Sequence, residues 1–575
     1  MGSYFRFQKL VFALLTSISI SPLPVFAQST PPSGVTIPPD TPGKVEETLP
    51  QPSPSPTLPP TPPTPTVPIL PSPPQENLPE AIFPSGESFF VKEIQVRGYS
   101  VLEDEIIKLK QPLENKKITF EQLLQLRSQI TELYVKKGYI TSGAFISNNQ
   151  NVTSGVVQIQ VVEGELEGIS ILGLQRLQTA YVRSRIQRFA GKPLNQKSLE
   201  QALQLLQLDP VIERVNAELT AGSTPGSNIL QITITESPAF HAGFIFANNQ
   251  SASVGSEQES VFVAHDNLFG FGDQFNAEYG ITQGLDIYNI SYSIPFNALD
   301  GTIGVRYSNS GSRIIESQFR DLDIRSEAET LAFNVRQPLI HNPNSEFALS
   351  LGFDLRRSQT FILNDIPFSF TEGPEDGESK VRVIRFSQDW LQRNANSVLA
   401  ARSQFSFGID AIDATVNDSG TDGRFFSWVG QFQWVQRLSP RILMLAKVNT
   451  QLTGDSLLSL EKITIGGVDT VRGYAPNQLV ADNGVVGGVE VRIPLASNLE
   501  ILQLIPFFDI GTAWNNRGIN ADPQTIASLG LSLNWQPYAG LVLRADYGVP
   551  LLLTSDRGSS LQDNGFSFSV RYQPF

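Results

Sequence analysis

The chain of 575 residues contains no cysteine and only three histidines, and its 42 basic residues are outnumbered by 56 acidic ones, a formal net charge of −14. Without cysteine there are no disulfides and no thiolate metal sites. Export without disulfides fits a bacterial envelope protein better than a small secreted scaffold, which depends on such staples. The deficit of positive charge argues against a nucleic-acid partner, which requires a basic footprint. Beyond the N-terminal segment no run reaches the ~18 uninterrupted apolar residues of a transmembrane helix, so residence in a membrane would require a barrel. No G-x-x-x-x-G-K-[ST] phosphate loop and no G-x-S-x-G elbow occurs. His241, His265 and His341 lack ligand spacing. His265 beside Asp266 resembles half of a catalytic pair, but an isolated pair is weak, and a barrel-turn role accounts for it better. No catalytic residue, cofactor or metal is therefore expected.

What is present begins with a processing signal. Arg6 and Lys9 precede the apolar run "LVFALLTSISI", and "VFAQ" supplies a small-residue cleavage site after Ala27. Residues 1–27 read as a signal peptide. Residues 28–87 read as a linker: between Pro31 and Pro84 lie about half of the chain's 40 prolines, as in "PSPSPTLPPTPPTPTVP". Proline lacks the backbone donor that helix and ladder need, so an extended, semi-rigid polyproline spacer is expected.

Two similar units follow, over 88–164 and 165–237. In the first, "FFVKEIQVRG" alternates as a strand, "LEDEIIKLK" is helical, and a second helix runs from Thr119 to Lys137. Thr119 with Gln122 forms a capping box, Ile118 is placed to staple against Leu123, and Phe120, Leu123, Ile130 and Leu133 give an apolar stripe. "GAFIS" and "GVVQIQVVEG" supply two more strands. The same order repeats in "LEGISILGL", "TAYVRSRIQRFAG", "NQKSLEQALQLLQL" (with Asn195 as cap), "IERVNAELTAG" and "NILQITITES". Helices covering one face of a small sheet make a minimal α+β domain.

From 238 to 575 the pattern is strand after strand. In "YNISYSI", Tyr288, Ile290, Tyr292 and Ile294 share one face, with Asn289, Ser291 and Ser293 on the other. "SLGLSLNW", "GLVLRADYG" and "GFSFSVRYQPF" alternate likewise. A soluble sandwich also alternates and remains the alternative. Aromatic-rich apolar faces opposite small residues, Asn, Gln and Arg fit better a lipid-facing wall around a wet lumen. Roughly sixteen segments of about 10–14 residues match the length that a tilted strand needs to cross a bilayer. The expected fold is thus an all-β transmembrane barrel of 16 antiparallel strands behind two α+β domains.

One stretch stands out. "IGGVDTVRGY" lies in the longest gap between strand segments, between the expected eleventh and twelfth strands, which makes it the sixth outer loop. Two segments on, "FFDIG" puts Phe507, Asp509 and Gly511 on one face. With Phe508 and Ile510 toward lipid, Asp509 points inward, and an infolded loop would pair Arg472 with it. Taken by spacing alone, Arg472 as a solvated loop charge beside an unrelated lumenal Asp509 stays open, because single Arg and Asp residues are common. A bidentate pair would fix orientation. Losing one partner of a buried pair costs about 3–5 kcal/mol, and less is expected in a wet lumen.

Taken together, the paired small domains, the barrel, "VRGY" and "FFDIG" resemble the TpsB transporters of two-partner secretion, the ShlB/FhaC/HecB haemolysin secretion/activation family within the BamA-like superfamily. "YVKKGYITSGAFISNNQNVTSGVVQIQVVEG" resembles that family's first POTRA domain, with "NNQ" in place of a proline-containing turn. The resemblance implies an outer-membrane pore of a Gram-negative-type bacterium with periplasmic POTRA domains. Its partners would be a secreted TpsA-type exoprotein, outer-membrane lipid and, during biogenesis, the barrel assembly machinery. It implies an inward loop motif at Val471, Arg472, Gly473 and Tyr474, a barrel-wall partner at Phe507, Asp509 and Gly511, and an assembly signal at Phe575. A client would pair with a sheet edge, for which Val215, Ala217 and Leu219 in "RVNAELTAG" are the candidates. The amphipathic plug helix of some members has no counterpart between Gln28 and Pro84. The alternative within the superfamily is a BamA-like insertase.

Overall fold

The computed structural model describes residues 88–147, 150, 154–498, 501–554 and 558–574. The expectations for the signal peptide, the linker, a plug and Phe575 lie outside the described residues.

The first module comprises β1 (Ser88–Val91), β2 (Glu93–Arg97), α1 (Glu103–Lys110), β3 (Lys116–Thr119), α2 (Phe120–Lys136), β4 (Gly143–Ile146) and β5 (Val156–Val162). The single strand expected over Phe89–Gly98 is split in two. Val91 and Ile94 are both fully buried, yet three residues apart, and strict alternation would place them on opposite faces. The chain therefore breaks at Lys92, whose N–H donates to the Gly155 carbonyl at 2.7 Å. β1 then pairs with β3, while β2 lies parallel to β5 in a sheet ordered β2-β5-β4. The capping box forms: Thr119 Oγ1 accepts from Gln122 N and Gln122 Oε1 from Thr119 N. The fully buried stripe of α2 is Leu123, Leu126, Ile130 and Tyr134, with Phe120 and Leu133 at its margin.

Glu163, just past β5, closes this module. Its carboxylate accepts from Ser100 N (2.7 Å), Ser100 Oγ (2.6 Å) and Tyr134 Oη (2.8 Å). Burial alone would raise its pKa, but these donors outweigh burial and hold it below the usual carboxylate range. A carboxyl with a depressed folded pKa stabilises the fold above its unfolded pKa, about 4.3, and that contribution is lost as pH falls through the folded value. Glu163→Gln is accordingly expected to cost about 1–3 kcal/mol at neutral pH and to flatten the acid limb of module stability. Amide exchange of α2 and β5 in the intact protein measures both, and unchanged protection at pH 4 and 7 would count against the assignment.

In the second module β6 (Glu165–Leu172), α3 (Thr179–Gln187), α4 (Gln196–Gln207), β7 (Ile212–Ala221) and β8 (Ser227–Glu236) form a three-stranded sheet with β8 in the middle. Asn195 Oδ1 caps α4 by accepting from Lys197 N and Ser198 N. The two helices bury Val182, Ile186, Leu199 and Leu203 against Leu230 and Ile232.

Sixteen long strands close a barrel. They are β9 (Phe240–Ala247), β10 (Gln258–His265), β11 (Gln274–Ile281), β12 (Leu285–Pro295), β13 (Thr302–Arg313), β14 (Arg325–Asn342), β15 (Ser345–Ile362) and β16 (Glu378–Arg393). The second half is β17 (Ser397–Gly408), β18 (Phe425–Arg437), β19 (Leu443–Thr453), β20 (Asn483–Pro494), β21 (Leu502–Trp514), β22 (Thr525–Tyr538), β23 (Leu541–Pro550) and β24 (Phe566–Tyr572). All neighbours are antiparallel, and β24 returns to β9. Tyr288, Phe432 and Leu531 lie on the outer surface, 47%, 38% and 52% exposed. The apolar face is thus the outer one, as a bilayer requires and a soluble sandwich forbids. The second module abuts the short turns: Gln178 N donates to Gly270 O at 2.8 Å, and Arg185 pairs with Asp300 between β12 and β13. The longer connections therefore open at the far end.

Candidate inward-loop latch

The longest connection, between β19 and β20, folds into the barrel. It makes a 3₁₀ turn at Ser459–Glu461, then a two-stranded ladder of Ile463–Ile465 with Leu479–Ala481 that brackets "VRGY". The ladder turns at Gly466, whose φ of +126° a side-chain-bearing residue rarely adopts. Ile463, Ile465, Val471 and Tyr474 pack with Val486, Ala513 and Ile526 of the barrel wall. An apolar cluster inside a polar lumen pulls the loop off the axis and onto that wall.

Arg472 sits at the end of this ladder, 3% exposed, and Asp509 on β21 is wholly buried. Arg472 Nε donates to Asp509 Oδ2 at 2.7 Å and Nη2 to Oδ1 at 3.0 Å, a fork-to-fork pair, while Arg472 N donates to Oδ2 at 3.2 Å. Nη1 reaches Glu490 Oε2 on β20 at 3.1 Å and Ser532 Oγ on β22 at 3.4 Å, and Ser532 Oγ donates in turn to Asp546 on β23. The guanidinium lies 3.6 Å over the Phe507 ring, a favourable stack on an aromatic face. Four adjacent strands thus converge on one cation. The pair is drier than the wet lumen expected for it, because the loop itself excludes water from that side.

The other motif residues supply space and closure. Gly473, at φ +90°, lies against Gly548: a Cβ there would come within 2.7 Å of the Gly548 carbonyl oxygen. Gly511 presents its bare backbone to the loop, and a Cβ would stand 2.6 Å from Ile465 Cγ2. Tyr474 Oη lies 2.8 Å from the carbonyls of Ala527 and Leu552, donating to one at a time, and accepts from the N–H of Leu552 at 3.2 Å. Sequence reasoning placed Arg472 and Asp509 but missed Glu490, Ser532 and Asp546. Each is an inward residue of an alternating strand, indistinguishable along the chain from any other lumenal polar group.

β7 does lie at a sheet edge. The side chains of Val215, Ala217 and Leu219, however, pack onto the core of the module rather than facing outward: Leu219 is buried and the other two partly so. What the edge offers is backbone, and its first part is taken. The Gln207 carboxamide accepts from Val215 N at 2.9 Å and donates to Glu213 O at 2.8 Å. Asp266 pairs with His241, 3.0 Å apart, and His265 Nδ1 accepts from Asn267 N within a turn. No grouping of His, Asp and Glu among the described residues is suited to a metal ion.

Residues 226–535 match the family model for the haemolysin secretion/activation protein ShlB/FhaC/HecB, and 89–164 match the ShlB-type POTRA domain. The outer membrane transporter CdiB of Dickeya dadantii is 25% identical over 429 residues, 71% of this chain and 73% of that protein. The hemolysin transporter protein HpmB of Proteus mirabilis is 22% identical, covering 71% and 72%. The solved structure of CdiB from Escherichia coli superposes with a TM-score of 0.64 at 21% identity, over 87% of this chain and 93% of that one.

Proposed function

The chain belongs to the ShlB/FhaC/HecB family of haemolysin secretion/activation proteins, and we propose that its periplasmic modules capture an unfolded exoprotein and pass it through the barrel to the cell surface. It is an outer-membrane transporter of two-partner secretion, not an enzyme, with the POTRA modules in the periplasm. The observation that carries the finer reading is the forked Arg472–Asp509 pair between an infolded loop and the barrel wall. A buried ion pair is a poor source of net stability but a good device for specifying one arrangement. Here it specifies where the loop rests inside a pore, which is what a transport latch requires. The client is expected to be a haemolysin- or adhesin-type exoprotein of the TpsA class.

Capture would proceed by β-augmentation on the open part of β7. Val215 N points out of the sheet toward Gln207, and Ala217 repeats that orientation two residues on. Proline is tolerated on an edge strand whose N–H faces outward. Ala217→Pro is therefore expected to leave the barrel intact and to weaken client binding roughly three- to tenfold, the worth of a backbone hydrogen bond or two. Pull-down of the client's N-terminal segment by the full-length protein measures this, and undiminished binding would exclude β7 as the docking edge.

Deletion of the gene tests the function as a whole. Loss of one large protein from the medium is the expected result. Broad depletion of outer-membrane barrels would instead reveal an insertase.

A further inference from the structure

The lumen beside the loop is not filled. A cavity of about 700 Å³ is lined by polar residues of β11–β17, among them Asn289, Ser308, Thr330 and Arg402, and by the loop's first limb. Arg472 and Asp509 are not among its walls, whereas Glu461, Arg356, Arg385 and Asp354 are. The boundary between loop and open pore is therefore a second ionic cluster, remote from "VRGY".

Glu461 ends the 3₁₀ turn, and its side chain is 5% exposed. It accepts from Arg356 Nη1 on β15 at 2.8 Å, and from Arg385 Nη2 on β16 at 3.0 and 3.1 Å through both carboxylate oxygens. Arg385 is itself held by Asp354 (2.6 Å) and Ser406 Oγ (2.8 Å). Two arginines thus converge on one loop carboxylate, so withdrawing Glu461 takes a buried anionic partner from both at once. Leu457, Leu458 and Leu460 pack beside it on Val381 and Val383 of β16 and Phe425 of β18. The loop is consequently strapped at two places: Arg472 to β20–β22, and Glu461 to β15 and β16.

We propose that Glu461 is a positioning residue that sets the open width of the pore, and that its release from Arg356 and Arg385, with Arg472 still seated, is the movement that admits the client. This rests on the transport reading above. The two straps differ in a way that assigns the roles: Arg472 is shielded behind the loop, whereas a chain entering the cavity meets Glu461 and its arginines directly. A carboxylate carried by the passing chain could replace Glu461 on that arginine pair without a net change of charge.

Single-channel conductance of the full-length protein in planar bilayers, without client, tests the proposal separately from secretion. Glu461→Gln is expected to raise the mean conductance roughly two-fold or more, since current through a pore follows its width and lining charge. Amides 471–474 should remain protected from exchange, and Glu461→Asp should stay near wild type. Unchanged conductance in a folded Glu461→Gln barrel would overturn the proposal, and so would simultaneous loss of protection at 471–474, because the straps would then be one. Because the chain has no native cysteine, Glu461→Cys with Arg356→Cys can be joined by a thiol-cleavable bridge. Secretion lost when bridged and restored on cleavage supports the proposal, and secretion undiminished by the bridge overturns it. Failure of the unmodified protein to secrete any client would strike the transport reading instead.

Discussion

Replacing Arg472 with alanine is expected to remove most of the client from the medium while the barrel still inserts and folds. The substitution leaves Asp509 wholly buried without its forked partner, and strips Glu490 and Ser532 of a donor. Breaking a buried pair by removing one partner costs about 3–5 kcal/mol. Lys447, Arg492 and Arg544 stand nearby and offset part of that cost. Even a net change of about 1.4 kcal/mol is a tenfold change in the seated population of the loop, so secretion should fall at least roughly tenfold. Arg472→Lys should rescue little, because a single ammonium cannot supply the fork or the stack on Phe507. Immunoblots of client in the medium, set against heat-modifiable migration of the barrel in outer-membrane fractions, separate secretion from assembly. Wild-type secretion by the alanine variant would remove the latch from the mechanism.

Gly511→Val should produce a defect of similar size by a different route. A β-branched residue suits an extended strand, so β21 should keep its pairing. The new side chain would nevertheless occupy the space of Ile465 Cγ2, and its Cβ would lie 3.2 Å from Val471 Cγ2. Overpacking of this kind typically costs about 1–3 kcal/mol, and here the softer partner is the loop, not the hydrogen-bonded wall. Exchange of amides 463–474 is expected to accelerate with the barrel amides unchanged. Ile510→Val, one residue away on the outer surface, is the control and should be silent. Were Gly511→Val to secrete normally with its loop still protected, close packing of loop on wall would not be required.

Both predictions start from residues that were visible in the chain. From the chain alone, pairing the loop's Arg472 with Asp509 rests on the family resemblance, because spacing leaves it open. Asp509 itself could be placed on the inner face because strand alternation assigns a face to every strand residue once one face is known to be greasy. The same rule misjudged Phe89–Gly98, where two core positions three residues apart force a break. Val215, Ala217 and Leu219 do lie on an edge strand, but which groups that edge offers could not be read along the chain. Their side chains belong to the module's own core, and only the backbone is free to pair. Glu461 showed no signal at all. Its partners Arg356 and Arg385 lie 105 and 76 residues earlier, and no local pattern distinguishes them from other inward arginines.

By itself the order of residues determined the local facts: proline-rich and patterned stretches, two repeats of an α+β unit, a run of amphipathic strands, and an arginine in a glycine-rich loop. These are consequences of period and of backbone freedom, which act over a few residues. Only the tertiary structure decided which inward groups meet. Closing the barrel brings β20 to β23 around one guanidinium and sets β15 and β16 around one glutamate. Such a meeting depends on strand register and on how an infolded loop divides the lumen, and both are properties of the closed cylinder.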